Sequence, residues 1–234
     1  MRISLPVLLS FNGGYVDTAG FLALQGLFTA HVTGNFVTLG AALVLGTSGV
    51  LAKLLALPVF CIVVVLVRLL GVRLDALDWP RLRILLGVKV ALLALGAALA
   101  MRFGPFPSGD GWQAILTGMV LVSAMAIQNA VNRVHLSASP PSTLMTGNTT
   151  QIMLDLADLI GPSPAEQRVV VRARLARMAK SVLGFAIGCG AAALLFVEIK
   201  MACFALPPLV ALVGLLLKES RGQAAETPAK AAAR

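Results

Sequence analysis

Charge is scarce in this chain, and acid is scarcer still. Of its 234 residues 12% are charged, with 10 Asp and Glu against 19 Lys and Arg. A soluble domain carries about 25%, so an ordinary water-soluble fold is excluded. Aromatic residues are 6%, and the basic residues are clustered rather than striped between aromatics. That excludes a nucleic-acid surface and leaves positive charge as a marker of topology. The two histidines and three cysteines are not spaced as metal ligands, so no metal or other cofactor is expected. Cys61, Cys189 and Cys203 lie in apolar runs and read as buried free thiols. His-Glu-x-x-His, Walker A and Gly-x-Ser-x-Gly are all missing, and no catalytic residue and no enzyme are expected. The start of the chain meets Asn12-Gly13-Gly14 before any cleavage-like site, so a signal peptide is not expected.

What is present is apolar. Hydrophobic residues make up 58% of the chain and the mean hydropathy is +0.90, the composition of an integral membrane protein. Six segments are long and apolar enough to span, near 5–28, 51–73, 82–102, 112–134, 177–198 and 200–218, given a need for about 17–25 residues. Two shorter segments, 34–47 and 147–160, offer about a dozen helical residues each, or about 18 Å, which is a half-span. The second carries Asp155 and Asp158 and would make a poor lipid-facing span.

Positive charge assigns the sides. Arg68, Arg73, Arg81 and Arg83 surround one loop, Arg168, Arg172, Arg174, Arg177 and Lys180 fill another, and Lys218, Arg221, Lys230 and Arg234 mark the tail. All three regions are expected in the cytoplasm, with Arg2 and the N-terminus. That holds only if 147–160 enters and leaves on one side, and the same logic applies to 34–47. The alternatives are eight crossing helices, or a bent first helix in each half.

The most informative motif occurs twice. His31-Val32-Thr33-Gly34-Asn35 and Leu144-Met145-Thr146-Gly147-Asn148 place Thr-Gly-Asn at an offset of 113, close to half the chain. Each triplet follows a helix bearing polar residues: Asn12, Gly13, Gly14 and Asp17 in one half, Gln128, Asn129 and Asn132 in the other. A duplicated polar break at membrane depth is the pattern of a transport fold built from two repeats. Three spans and one half-helix per repeat, an odd number of crossings, make the repeats inverted. The fold expected is all-α: a polytopic transmembrane helical bundle of six spans plus two broken or re-entrant half-helices. It forms a single transmembrane domain over 1–218, with repeat one at 5–102, repeat two at 112–218 and a disordered cytoplasmic tail at 219–234.

The motifs in combination are specific. Gly14-Tyr15-Val16-Asp17-Thr18-Ala19-Gly20-Phe21-Leu22-Ala23-Leu24 and Phe28-Thr29-Ala30-His31-Val32-Thr33-Gly34-Asn35 resemble the opening signature of the YoaK-like bacterial membrane proteins, the domain-of-unknown-function family 1275. Ala124-Met125-Ala126-Ile127-Gln128-Asn129-Ala130 and Leu144 to Asn148 extend the resemblance over about residues 5–217. His31 and Asn148 are positions where Asn and small hydroxyl residues, respectively, also suit that pattern. The resemblance implies a six-span bacterial inner-membrane protein, and it supplies no substrate.

The candidate site residues are Asp17, His31, Thr33, Asn35, Gln128, Asn129, Asn132, Thr146 and Asn148. Asp17 is the acid inside a span, a placement that usually faces a cavity or a partner; alternatively it ties the first helix to the Thr-Gly-Asn backbone. Gln128 is its expected counterpart in repeat two, allowing a two-residue gap. Gln128 and Asn132 share a helix face and either bind solute or glue helices. Thr33, Asn35, Thr146 and Asn148 suit helix caps, whose positive ends would favour a neutral polar or anionic solute. His31 has no second histidine nearby in sequence and reads as packing. His135 sits near an interface. Gly20, Gly26, Gly40, Gly118, Gly184, Gly188 and Gly190 suit close helix approach.

Two functions remain open. One is a transporter or channel-like permease for a small polar solute or ion, with a central site at the two triplets. The other is a non-transporting membrane scaffold or assembly protein whose polar cluster only packs helices. A wet cavity reaching the triplets separates the first from the second, which would have a filled centre. The expected partners are the lipid bilayer and a small polar solute or ion, with no nucleic acid, and a homo-oligomer is left open.

Overall fold

The computed structural model describes residues 4–162 and 164–217. Arg2, Lys218 and the tail read as disordered at 219–234 lie outside the described residues. The elements are helices α1 (Leu5–Ala23), α2 (Asn35–Leu45), α3 (Val50–Ala76), α4 (Arg81–Phe103), α5 (Trp112–His135), α6 (Met145–Ile160), α7 (Ala165–Ile199) and α8 (Leu206–Leu216). Short 3-10 turns at Val32–Gly34 and Lys200–Ala205 precede α2 and α8. No strand occurs among the described residues.

By length and hydropathy four segments can cross a bilayer: α3, α4, α5 and the continuous stretch Ala165–Leu216. The expected first span, 5–28, is shortened to α1, because Gln25 and Gly26 take positive φ and turn the chain. Helix α1 is also diluted by Asn12, Asp17 and glycines, which is tolerable because it is packed inside the bundle. The expected last span, 200–218, is broken: Lys200 has φ 50° and Pro207 and Pro208 open α8, so its α-helix has only 11 residues. An apolar run by itself carries no record of such a kink.

Contacts fix the directions. Gly184 lies over Val7 and Phe11, and Gly188 over Phe11 and Tyr15, so α1 and α7 are parallel. A methyl on Gly14 or Gly188 would fall into the carbonyl of Phe185 or Phe11, so only glycine permits this crossing. Gly118 lies against Leu24 and Leu27 while Gln128 reaches Leu9, so α5 opposes α1. Asp110, just before α5, bonds the start of α3, so these two run together. Leu5, Leu82, Gly214 and Leu215 share one small cleft, which sets α4 alongside α1 and α8 against both. Gly40 and Gly190, expected at close helix approaches, have open space instead, and Gly26 serves a turn with φ 81°.

The helix pairings are reciprocal between the halves. Helix α1 packs on α7 as α5 packs on α3; α2 packs on α3 as α6 packs on α7; α4 packs on α5 as α8 packs on α1. The core between them is Tyr15, Val16, Leu24, Leu27, Leu93, Leu121, Val122, Met125 and Phe204. Of the cysteines, Cys203 is buried, Cys189 half-buried and Cys61 exposed, all free. The exposure of Cys61 corrects the expectation of a buried thiol: it lies on the outward apolar side of α3, where Ile62, Val65 and Leu66 are also exposed.

Candidate functional site

Two loops break the helical pattern, and each is pinned by polar side chains. A loop at membrane depth must have its N–H groups satisfied by protein. In the first, the Oδ1 of buried Asp17 accepts from the N–H of Thr29 at 2.8 Å and of Ala30 at 2.7 Å. Its Oδ2 lies 2.7 Å from His31 Nδ1. His31, which read as packing in the sequence, is thus half of an acid–imidazole pair, because the loop folds back beside α1. Its ring also meets Phe185 edge-on at 5.5 Å, and its side chain is 33% exposed.

The second loop is held by amides instead of an acid. Gln128 Nε2 donates to the carbonyl of Leu9 at 2.8 Å and to Ser142 Oγ at 3.0 Å. Thr143 Oγ1 donates to Asn129 Oδ1 at 2.7 Å, and Asn132 Nδ2 donates to the Pro140 carbonyl at 3.4 Å. The bonds that Asp17 makes alone are therefore divided between Gln128 and Asn129, rather than carried by Gln128 as expected. Gln128 and Asn132 are both buried, and Asn129 is half-buried.

The asparagines of the triplets do not cap their helices. Asn35 Nδ2 donates to the Phe28 carbonyl at 2.8 Å, and its Oδ1 accepts from Phe28 N–H at 2.9 Å. Asn148 Nδ2 donates to the Pro141 carbonyl at 2.9 Å. Both reach back seven residues and clasp the loop ahead of the helix, at positions related by the same offset of 113. No side chain of the N-cap residue bonds at either helix start. Thr33 and Thr146, also expected as caps, are exposed. Thr146 lines an open groove of about 630 Å³ along α6 with Met145, Thr149, Thr150, Met153 and Leu154.

The structure gathers the nine candidates into two clusters rather than one. Asp17 and the Leu9 carbonyl that receives Gln128 lie eight residues apart on α1, about 12 Å along its axis. The two chain breaks close at opposite ends of the bundle. Gln25 accepts from Lys53 Nζ at 2.8 Å, beside Gly49 and Gly109. At the other end, Arg168 donates to the Leu159 carbonyl. The centre is filled: Tyr15, Lys89, Thr29, Gln128 and Thr143 are all completely buried.

Sequence reasoning left three charged groups out of the candidate site. Lys89 on α4 has no exposed surface and donates to Gln128 Oε1 at 2.5 Å. A lysine inside an otherwise apolar run is itself a functional signal, hidden here because one charge does not interrupt the run. Asp155, a cost in lipid, turns inward to Arg174 at 2.5–3.1 Å and to Gln151 at 2.8 Å, tying α6 to α7. Asp110 caps α3 from a distant loop, accepting from Gly49 and Leu51 N–H at 2.8 Å each. Burial alone would push its carboxyl up, but backbone N–H groups of Gly49, Leu51, Ala52 and Val50 hold it below the ordinary value. Among the described residues no group of three His, Cys, Asp or Glu could hold a metal ion.

Comparison with known proteins agrees with this architecture in kind. The chain is 29% identical over 160 residues to the UPF0700 transmembrane protein YoaK of Bacillus subtilis (strain 168), covering 67% of this chain and 68% of that protein. No solved structure matches it. A family model described as "Protein of unknown function (DUF1275)" matches residues 5–217. A match of that extent, with a transmembrane relative and several spanning helices, means that the chain belongs to the DUF1275 family of membrane proteins.

Proposed function

We propose that the chain is a transporter or channel-like permease of the bacterial inner membrane, carrying a small polar solute or ion. One observation carries the reading: two helix-breaking loops, each clasped by a Thr-Gly-Asn asparagine, enter from opposite ends of a bundle that buries Asp17, Lys89 and Gln128. Polar and ionisable groups at that depth are costly and usually serve a pathway. The reciprocal helix pairing supports two inverted repeats, each of three crossings and one re-entrant half-helix. Arg73, Arg81, Arg83, Arg168, Arg172 and Arg177 at one end support a cytoplasmic placement of that end and of both termini. In this reading the filled centre is an occluded state, and no catalytic chemistry is assigned.

The filled centre also favours a second reading, a scaffold whose polar residues only hold loops and helices. The test is flux. Purified full-length protein in liposomes is screened against small metabolites and ions, first by thermal shift for binding and then for uptake. Binding followed by uptake, both lost on Asp17→Asn with the fold retained, is expected of a transporter. A folded protein that binds and moves none of the solutes belongs to the scaffold reading.

A further inference from the structure

Among the described residues no carboxylate pairs with Lys89. Helices α3, α5 and α8 and the 3-10 turn Lys200–Ala205 pack on α4. Of these, only α3 carries an acid, Asp75 near its end, and Asp75 is engaged by Arg81 at 2.7 Å. Asp17 is held by the first loop. The partner of Lys89 among the described residues is a neutral amide, Gln128, which leaves ammonium N–H groups over. Gln128 cannot turn to help, because its own N–H groups are engaged by Leu9 and Ser142.

A second buried group is unsatisfied. Asn12 is 1% exposed, and neither its Nδ2 nor its Oδ1 has a partner. Helices α1 and α4 run in parallel from one cleft, in which Leu5 and Leu82 both lie. Asn12 and Lys89 are each seven residues further on, about 10 Å deeper, and hence at matching height. Around α1, at about 100° per residue, Asn12 falls between Leu5, which meets Gly214 of α8, and Tyr15, whose hydroxyl donates to the Cys203 carbonyl in the 3-10 turn. Helix α4 packs on both α8 and that turn. The cleft below holds about 30 Å³, is lined by Leu86 one turn beneath Lys89, and has Arg83 in its wall.

We infer that Lys89, Asn12 and Gln128 form a binding site for a small monovalent anion, entered from the end of the bundle that carries Arg83. Spare N–H groups of an ammonium and an amide lie at one height of the core, and among the described residues no carboxylate pairs with either; burying an unpaired charge is far costlier than burying one beside a counter-ion. The anion takes those donors and neutralises the lysine. Widening of the cleft at Leu5, Leu86 and Gly214 gives it passage. This deepens the transport reading by naming its substrate class, although binding by itself does not require transport.

The test uses full-length protein in detergent at fixed pH and ionic strength, with sodium chloride or nitrate replacing sodium gluconate. A Tm that climbs by several degrees with the logarithm of the small anion is expected. Lys89→Gln should abolish the climb, and Lys89→Arg should retain it. Should Lys89→Gln fail to fold, Asn12→Leu removes two donors without touching the charge and should weaken apparent affinity at least fivefold. The site is overturned if the wild type shows no anion-dependent rise, if Lys89→Gln rises equally, or if Asn12→Leu leaves the affinity unchanged. Flux of the same anions into liposomes separates the two proposals. Lys89-dependent binding without flux keeps the site and removes the transporter. Flux indifferent to Lys89 does the reverse.

Discussion

Removing the Asp17 carboxylate should cost more than any other single polar deletion in the first loop. In Asp17→Ala the N–H groups of Thr29 and Ala30 and the Nδ1 of His31 all lose their acceptor or partner at once. A buried donor left unsatisfied costs about 1–3 kcal/mol, so the two backbone groups amount to about 2–6 kcal/mol, and the His31 ring, 33% exposed, can turn to water instead. At about 2–4 °C per kcal/mol for a chain of this size, Tm should fall by roughly 4–24 °C. Asp17→Asn keeps one acceptor oxygen for the backbone and loses the charge-assisted part, a cost of about 1–2 kcal/mol. The assay is thermal unfolding of the purified protein, read from intrinsic fluorescence and from retained monodispersity. Asp17→Ala within about 1 °C of wild type, or Asp17→Asn as damaging as Ala, would refute the account of Asp17 as the anchor of that loop.

Other outcomes follow from the same geometry. Gly188→Ala forces α1 and α7 apart and should destabilise by at least about 1–3 kcal/mol, while Gly190→Ala, with open space around it, should be neutral or slightly stabilising in thermal unfolding. Asp110→Ala should cost about 1 kcal/mol, the usual worth of a helix cap. Because the Asp110 carboxyl is held below its ordinary value of 3.8, its contribution is present above that value and is lost as pH falls through the depressed one. Asp110→Asn should therefore flatten the acid limb of the Tm–pH curve, and an unchanged limb would contradict the cap. In a chain freed of its three cysteines, a cysteine at Ser108 should react with an impermeant reagent from the periplasm and one at Glu166 only from the cytoplasm; periplasmic labelling at Glu166 would sink the re-entrant arrangement.

Much of the fold was legible because apolar runs of span length are hard to mistake. The expected 51–73, 82–102 and 112–134 lie within three residues of α3, α4 and α5 at every end. The two short helices were legible too, since Thr-Gly-Asn stands at the start of each. The break at Lys200 was not, because it depends on a backbone angle inside an uninterrupted apolar run. Within the site, the residue types were readable and their partners were not. Asn35 has the chemistry of a cap, and only the folded loop reveals that Phe28 is nearer than any orphan N–H. Lys89 meets Gln128 across 39 residues of sequence, a separation at which no local pattern speaks.

The crossing of α1 with α7, mirrored by α5 with α3, has a consequence for how the chain is made. The opening helix of each half is clasped by a helix of the other half, so neither half closes a core by itself. During synthesis α1 waits in the membrane with Gly14 uncovered until α7 emerges some 160 residues later. A chain cut between Phe103 and Trp112 should therefore yield two fragments that are each degraded when expressed alone and that assemble when expressed together. The two halves are less like domains in series than like two hands with their fingers interlaced.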